Sequence, residues 1–122
     1  KLKTEDERNA WLKTQEVWDN FYKYPEHIRE LVVQGDVQKG WSKDMLLMAW
    51  GRPYDVNKQP GRQATRSEML VYRFERHDDE DGRYDLVWEP NSKTEYKAVG
   101  RFRKEVIIDD DVIAEIRDRD GW

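Results

Sequence analysis

Residues 28–56 read IRELVVQGDVQKGWSKDMLLMAWGRPYDV, a pattern of two short helices with the signals that end them. Ile28, Leu31 and Val32 have the spacing of one helix face. Gly35 follows at the position where many helices end in a left-handed residue, a conformation that glycine adopts without steric cost. The pattern therefore predicts a first helix that ends just before Gly35.

The second helix of this stretch is predicted over residues 43–50 and has a signal at each end. Ser42 is a typical N-cap, because its hydroxyl can accept a hydrogen bond from an amide of the first turn. Gly51 is expected to supply a left-handed cap, with a positive φ, at the other end, and Pro53 cannot continue a helix. The stretch therefore predicts a pair of helices joined by a short connection.

The N-terminal segment, residues 1–27, predicts a further helix over about residues 5–24. Trp11, Trp18 and Tyr22 fall at helical spacing, and this aromatic stripe is expected to pack into the core. The alternative is an exposed aromatic anchor for a partner protein, since tryptophan and tyrosine often dominate binding surfaces.

The second half of the chain has the pattern of strands. Apolar and polar residues alternate over 70–74 and 84–88, and apolar runs over 102–108 and 112–116 flank three aspartates that predict a tight turn. Residues 52–67 have no apolar period and contain Pro, Gly, Gln and Asn, so they are predicted to form a long loop.

Together these elements predict an α+β fold, in which two or three N-terminal helices pack on one face of a three- to four-stranded antiparallel sheet. Residues 1–27 are interpreted as an N-terminal aromatic helix added to an α+β domain over residues 28–122. The side chains expected to face the helices are Leu70, Tyr72, Phe74, Leu86, Trp88, Phe102, Val106 and Ile116.

Composition limits the functions that the chain can perform. It has 122 residues, of which 37% are hydrophobic and 39% charged, and a net charge of −4. A dedicated nucleic-acid binder usually has a basic footprint, so we predict no nucleic-acid partner. The chain has no Cys, which excludes disulfides, thiol chemistry and Cys-based zinc sites. No run of about 18 apolar residues occurs, and no transmembrane segment is predicted.

Candidate catalytic and metal-binding residues have weak patterns. His77 and the acids that follow it, up to Asp81, are interpreted as a hairpin turn rather than a calcium loop. His27 is interpreted as a surface residue. The chain has no Gly-rich phosphate loop and no serine nucleophile motif. We predict no metal, no cofactor and no catalytic residue, and a hydrolase with a pair of carboxylates is the alternative.

Residues 28–118 resemble the SmpA/OmlA (BamE-like) lipoproteins of the Gram-negative outer membrane. The family signature is a helix, the motif G-x-V-x-x-G-M-[ST], a short helix and G-x-P. The matching residues here are Gly35, Val37, Gly40, Ser42, Gly51 and Pro53. Trp41 stands where the family has Met. In the W-x-Y strand that follows, Leu70 stands where the family has Trp, and Tyr72 is kept.

The resemblance implies a non-enzymatic interaction module in the periplasm, held at the outer membrane by an N-terminal lipid. It also implies an accessory role in outer-membrane protein assembly or envelope integrity. The expected partner is a protein of the cell envelope, with anionic lipid as a second candidate. The same fold type occurs in β-lactamase inhibitor proteins, so an inhibitor of a secreted enzyme is the alternative.

The resemblance further implies a binding region, because the W-x-Y strand and the loop before it lie near the partner-contacting region of the family. The matching strand side chains are Tyr72 and Phe74. The loop adds Arg52, Arg62 and Arg66 on an otherwise acidic chain, and arginine binds carboxylate or phosphate in bidentate fashion. These five residues are the predicted partner- or lipid-binding site, and the alternative is a solvated connecting loop.

Overall fold

The computed structural model describes residues 4–77, 84–87 and 98–121 of the chain, and they form an α+β fold. Three helices and a short 3-10 turn come first: α1 (Glu5–Asp19), the turn (Phe21–Lys23), α2 (Glu26–Gln34) and α3 (Lys43–Trp50). Five strands follow: β1 (Asp55–Lys58), β2 (Ser67–His77), β3 (Tyr84–Leu86), β4 (Ala98–Asp109) and β5 (Val112–Asp120). The predicted fold class is confirmed, with five strands among the described residues rather than three or four. None of the helices in these ranges has the length and apolar character needed to cross a bilayer.

Helix α1 packs on α3 through its smaller side chains and not through its tryptophans. Its buried residues are Glu7, Ala10, Thr14 and Val17. Trp11, Trp18 and Tyr22 are exposed, so the prediction that this stripe packs into the core is wrong. Small side chains such as Ala10 allow two helices to approach closely. The helix also ends at Asp19, earlier than predicted, before the 3-10 turn.

The predicted caps of α2 and α3 are present. Gly35 has φ 71° and ψ 12°, the left-handed conformation expected after α2. The Ser42 hydroxyl accepts a hydrogen bond from the Met45 amide at 3.2 Å. Gly51 has the expected positive φ of 74°, and its amide donates to the Leu47 carbonyl at 2.8 Å. Its ψ of −156° lies outside the left-handed helical region, so the left-handed cap predicted at Gly51 is wrong in this respect, and the conformation found is essentially restricted to glycine.

The sheet is antiparallel throughout, in the order β1-β2-β4-β5, with β3 also pairing with β2. Strand β1 lies inside the segment 52–67 that was predicted to be a loop, and this part of the prediction is wrong. Asp55 pairs with Val71 and Lys58 with Glu68. Val56 is the one apolar residue of β1, and it is buried in the core. Because a strand of four residues with one apolar side chain has no alternating apolar pattern, the sequence did not indicate it.

The core lies between the helices and one face of the sheet, as predicted. Of the eight predicted residues, four are buried: Leu70, Tyr72, Phe74 and Val106. Three more are partly buried and pack against the core: Leu86, Phe102 and Ile116. The eighth, Trp88, lies outside the described residues. The ring centroid of Trp50 in α3 lies 5.2 Å from that of Tyr72 and 5.3 Å from that of Phe74, so aromatic contacts join α3 to β2.

The opposite face of the sheet is lined by arginines and acids. Arg119 Nε donates to Glu105 Oε1 at 3.0 Å, and Arg103 Nε donates to Glu105 Oε2 at 3.3 Å. Burial acts to raise the pKa of Glu105, but the two arginines outweigh it and the pKa lies below its usual value. Ile107 of the same face is fully buried. Long arginine stems can cover such apolar surface while the charged ends stay in water.

We predict that Gly51→Ala lowers the free energy of unfolding by about 1–3 kcal/mol, because an alanine is strained at this φ and ψ. Thermal unfolding followed by circular dichroism measures the effect. Gly100→Ala is the matched control: Gly100 has no positive φ and has open space where a Cβ would lie. Equal losses of stability in the two variants would contradict the explanation from backbone strain.

Candidate functional site

The turn between β4 and β5 is the point where several distant segments meet. It consists of two residues, Asp110 with φ 49° and Asp111 with φ 68°. Positive φ at both central residues is the pattern of a type I′ turn, which suits the twist of a two-residue hairpin. Aspartate tolerates the left-handed region better than most residues. The tight turn predicted at these aspartates is therefore confirmed.

Arg62 binds the first aspartate of this region in bidentate fashion. Its Nε donates to Asp109 Oδ1 at 2.8 Å and its Nη2 donates to Oδ2 at 2.7 Å. The Ser67 hydroxyl also donates to Asp109 Oδ1, at 2.6 Å. Hydrogen bonds from Arg62 and Ser67 lower the pKa of Asp109, and the same contact raises the pKa of Arg62. Both side chains are about one quarter exposed, so the pair is partly shielded from water.

The other two aspartates bind the next residues of the same loop. The Asp110 carboxylate accepts hydrogen bonds from the Thr65 amide at 3.3 Å and from the Arg66 amide at 2.9 Å. The Asp110 amide donates in return to the Arg66 carbonyl at 2.8 Å. Arg66 Nη2 donates to Asp111 Oδ1 at 2.6 Å, and both of these side chains are mostly exposed. The loop over residues 62–67 is thus fastened to the β4–β5 turn.

The connection between α2 and α3 joins the same turn. The Gly40 amide donates to the Ile113 carbonyl at 2.9 Å, and the Ile113 amide donates to the Trp41 carbonyl at 2.8 Å. The Lys43 amide donates to the Asp111 carbonyl at 2.8 Å. Gly40 has φ 90°, a value that favours glycine. The motif residues around Gly40 therefore hold the first turn of α3 against the sheet.

The five residues predicted to bind a partner do not form one surface. Tyr72 and Phe74 are 1% and 2% exposed, so the expectation that these side chains contact a partner is corrected. Strand alternation places both on the helix-facing side. The Tyr72 hydroxyl donates to the Gly51 carbonyl at 2.7 Å, and burial raises the pKa of Tyr72 well above its usual value. Arg52 is half-buried. Arg62 and Arg66 donate hydrogen bonds to the aspartates at the β4–β5 turn.

A polar cleft of about 950 Å³ lies between the first turns of α1 and α3 and the β1–β2 hairpin. Four cationic and four acidic side chains line it. Glu68 Oε1 lacks a well-directed hydrogen bond among the described residues, but it forms an ion pair with Lys43. Lys13 Nζ lies 3.8 Å from Asp44 Oδ1. The described ranges contain no group of three or more His, Cys, Asp or Glu side chains that could hold a metal ion. The balanced charges favour no particular ionic ligand.

Among the described residues, a group of aromatic and apolar side chains is exposed on the helical side of the molecule. We call it the aromatic surface, and it consists of the exposed Trp18, Tyr22 and Val33 with the half-buried Phe21. Trp18 is about half exposed, and Tyr22 and Val33 are 84% and 74% exposed. The Phe21 ring centroid lies 5.2 Å from those of Trp18 and Tyr22, so three rings form a continuous group.

The exposed ring of Tyr22 is held in place by α2. Arg29 Nη1 donates to the Tyr22 carbonyl at 3.1 Å, and the guanidinium carbon lies 5.7 Å from the centre of the Tyr22 ring. The sequence interpretation placed this stripe in the core. A usable signal was the second face of α1, where Ala10, Thr14 and Val17 offer small side chains at helical spacing.

Comparison with known proteins finds no matching family model, no matching curated protein and no matching solved structure. The resemblance to the SmpA/OmlA family therefore stays a prediction based on its motif residues.

We predict that Arg62→Ala lowers the midpoint of thermal unfolding more than Arg66→Ala. Arg62 makes two charge-assisted hydrogen bonds to a partly shielded carboxylate. The Arg66–Asp111 pair is mostly exposed, and such pairs stabilise proteins little. The two variants remove the same charge from the same loop, so each controls for the other. Equal midpoints would show that the bidentate, partly shielded geometry of the Arg62 contact has no special role.

Acid titration tests the Asp109 contact separately. Its pKa in the folded protein is lowered, whereas an aspartate in an unfolded chain has a pKa of about 3.9. The stabilisation by Asp109 is therefore fully present above about pH 4 and is lost as pH falls through the folded-state pKa. We expect Asp109→Asn to be less stable than the parent in urea unfolding at neutral pH, with the difference narrowing below about pH 4. Asp120→Asn, at an exposed position, is the control. A difference that stays constant with pH would contradict this explanation.

Proposed function

We propose that this chain is a non-enzymatic interaction module of the cell envelope and that its aromatic surface binds a protein partner. The observation that carries the proposal is the exposure of Trp18 and Tyr22 on neighbouring turns of the helical layer. Grouped apolar side chains on a surface often mark an interaction site. Tryptophan and tyrosine are also the residues that most often dominate the energy of protein interfaces.

The arrangement of Tyr22 supports binding by a preformed surface. Its carbonyl and ring both contact Arg29, which limits the positions that the ring can occupy. An ordered side chain loses less conformational entropy when a partner binds. Phe21, which contacts both Trp18 and Tyr22, packs against the core and links the exposed rings to it.

Glu105 and Asp109 are not suited to act as general acids near neutral pH. A carboxyl group that acts as a general acid near neutral pH needs a raised pKa. The pKa values of Glu105 and Asp109 are lowered instead, because arginines donate hydrogen bonds to both. These two carboxylates therefore serve as acceptors in structural contacts.

The assignment to the cell envelope rests on the resemblance to the SmpA/OmlA family. Its support is the sequence motif together with the order of elements, in which a helix pair precedes an antiparallel sheet. Gly35 and Gly51 end the helices and Ser42 caps one, which gives each motif residue a physical role. The proposal includes a periplasmic location, an N-terminal lipid anchor in the outer membrane, and an accessory role in outer-membrane protein assembly or envelope integrity.

We predict that a Trp18→Ser, Tyr22→Ser variant folds like the parent and loses its partner. The measurement is chemical cross-linking of the purified chain in a Gram-negative envelope extract, followed by mass spectrometry of the cross-linked proteins. Leu12→Ser is the matched control, because Leu12 is an exposed apolar residue of α1 outside the aromatic surface.

An Arg52→Glu, Arg66→Glu variant tests the loop predicted from the sequence in the same experiment. If the aromatic variant keeps every cross-link of the parent, the aromatic surface is not the binding site. If only the arginine variant loses those cross-links, the loop over residues 52–66 is the binding site. A secreted enzyme as the specific cross-linked partner would favour the inhibitor alternative.

A further inference from the structure

We infer that the partner of the aromatic surface presents a cationic amphipathic helix, with apolar residues on one face and Lys or Arg beside them. This inference rests on the proposed function and adds the chemistry of the partner. It follows from the shape and the charge of a cleft at one end of the aromatic surface.

The cleft is shallow, has a volume of about 460 Å³, and lies between the 3-10 turn and α2. Tyr22 and Val33 supply mostly exposed apolar walls. Glu26 and Glu30 lie one helical turn apart on the side of α2 that lines the cleft. Across the described residues, neither carboxylate has an ion-pair partner within 4 Å.

Arg29, the cationic side chain that lines the cleft, contacts other groups of the same chain. Arg29 donates to the Tyr22 carbonyl and lies near the Tyr22 ring, so it is directed toward the 3-10 turn. Arg29 keeps its charge, but Glu26 and Glu30 outnumber it, so the apolar cleft has an acidic edge. Complementary charge on a partner would improve the rate and the specificity of association.

Two other occupants fit these charges poorly. In a symmetric dimer through this cleft, the same patch of both copies would meet, which would bring Glu26 and Glu30 near their equivalents. The whole chain also has a net charge of −4. An anionic membrane surface attracts basic segments rather than acidic ones. An amphipathic helix that places its apolar side chains in a groove and its cations at the edge satisfies both features of the cleft.

The test uses a fluorescent synthetic peptide of Leu and Lys in an amphipathic pattern, about four helical turns long. Binding to the full chain is measured by fluorescence anisotropy. We expect Glu26→Lys, Glu30→Lys to weaken binding about tenfold or more. Asp36→Lys, Asp120→Lys changes the net charge equally at exposed positions outside the cleft and should bind like the parent. A Leu/Glu peptide of the same pattern should bind the parent more weakly, and added salt should weaken binding of the Leu/Lys peptide.

The apolar requirement is tested with Tyr22→Ser, which should also weaken binding of the Leu/Lys peptide. The inference is overturned if the cleft variant binds like the parent, or if the two charge variants lose affinity equally, since net charge alone would then explain binding. It is also overturned if the parent floats with neutral or anionic lipid vesicles through Trp18 and Tyr22, because a membrane would then be the occupant.

Cross-linking in envelope extract separates this inference from the proposed function. If Trp18→Ser, Tyr22→Ser loses the partner while Glu26→Lys, Glu30→Lys keeps it, the aromatic surface binds a partner of a different chemistry and only the inference fails. If both variants keep the partner, the proposed function fails as well. We expect both variants to lose the cross-linked partner and the Asp36→Lys, Asp120→Lys control to keep it.

Discussion

The hydrogen bonds around Asp109, Asp110 and Asp111 connect segments that are far apart in the sequence. Arg62 and Ser67 bind Asp109, and the backbone of Arg66 binds Asp110. The amide of Lys43, the first residue of α3, donates to the Asp111 carbonyl. The position of α3 on the sheet depends on these contacts. Because α1 and α2 both pack on α3, the placement of the aromatic surface depends on them as well.

The two faces of the sheet are stabilised by different interactions. The face under the helices uses aromatic and aliphatic contacts, such as the stacked rings of Phe74 and Phe102, whose centroids are 5.0 Å apart. The other face uses arginines and acids on adjacent strands, with Glu105 between Arg103 and Arg119. A chain with 37% hydrophobic residues can therefore build a sheet in which part of each central strand, such as Val71 and Ile107, is buried on the face away from the helices as well.

The features that the sequence predicted correctly are those with a local physical cause. Gly35, Ser42 and Gly51 act on the backbone within one helical turn, so their roles follow from neighbouring residues. The buried face of α1 was predicted wrongly, because periodicity shows which side chains share a face but does not by itself show which face meets α3. Trp11 and Trp18 show this limit.

Long-range pairing was the other feature that the sequence did not reveal. Arg62 and Asp109 are 47 residues apart, and nothing near either residue identifies the other. The sequence therefore indicated that the basic loop binds an external anion. In the structure, the arginines of this loop donate instead to aspartates of the same chain. Strand β1 was missed for a related reason, since its register with β2 depends on backbone groups that every sequence has.

The two-residue turn between β4 and β5 also has a consequence for the order of folding. A hairpin with so short a connection closes a small loop, and isolated hairpins form in about 1–10 μs. Pairing of β2 with β4 joins residues much further apart and has a larger loop-closure cost. The carboxylates of Asp109 and Asp110, which accept hydrogen bonds from this segment, reach their final positions only when the β4–β5 hairpin has formed. We therefore expect the segment over residues 62–67 to dock late, onto a hairpin that has already formed.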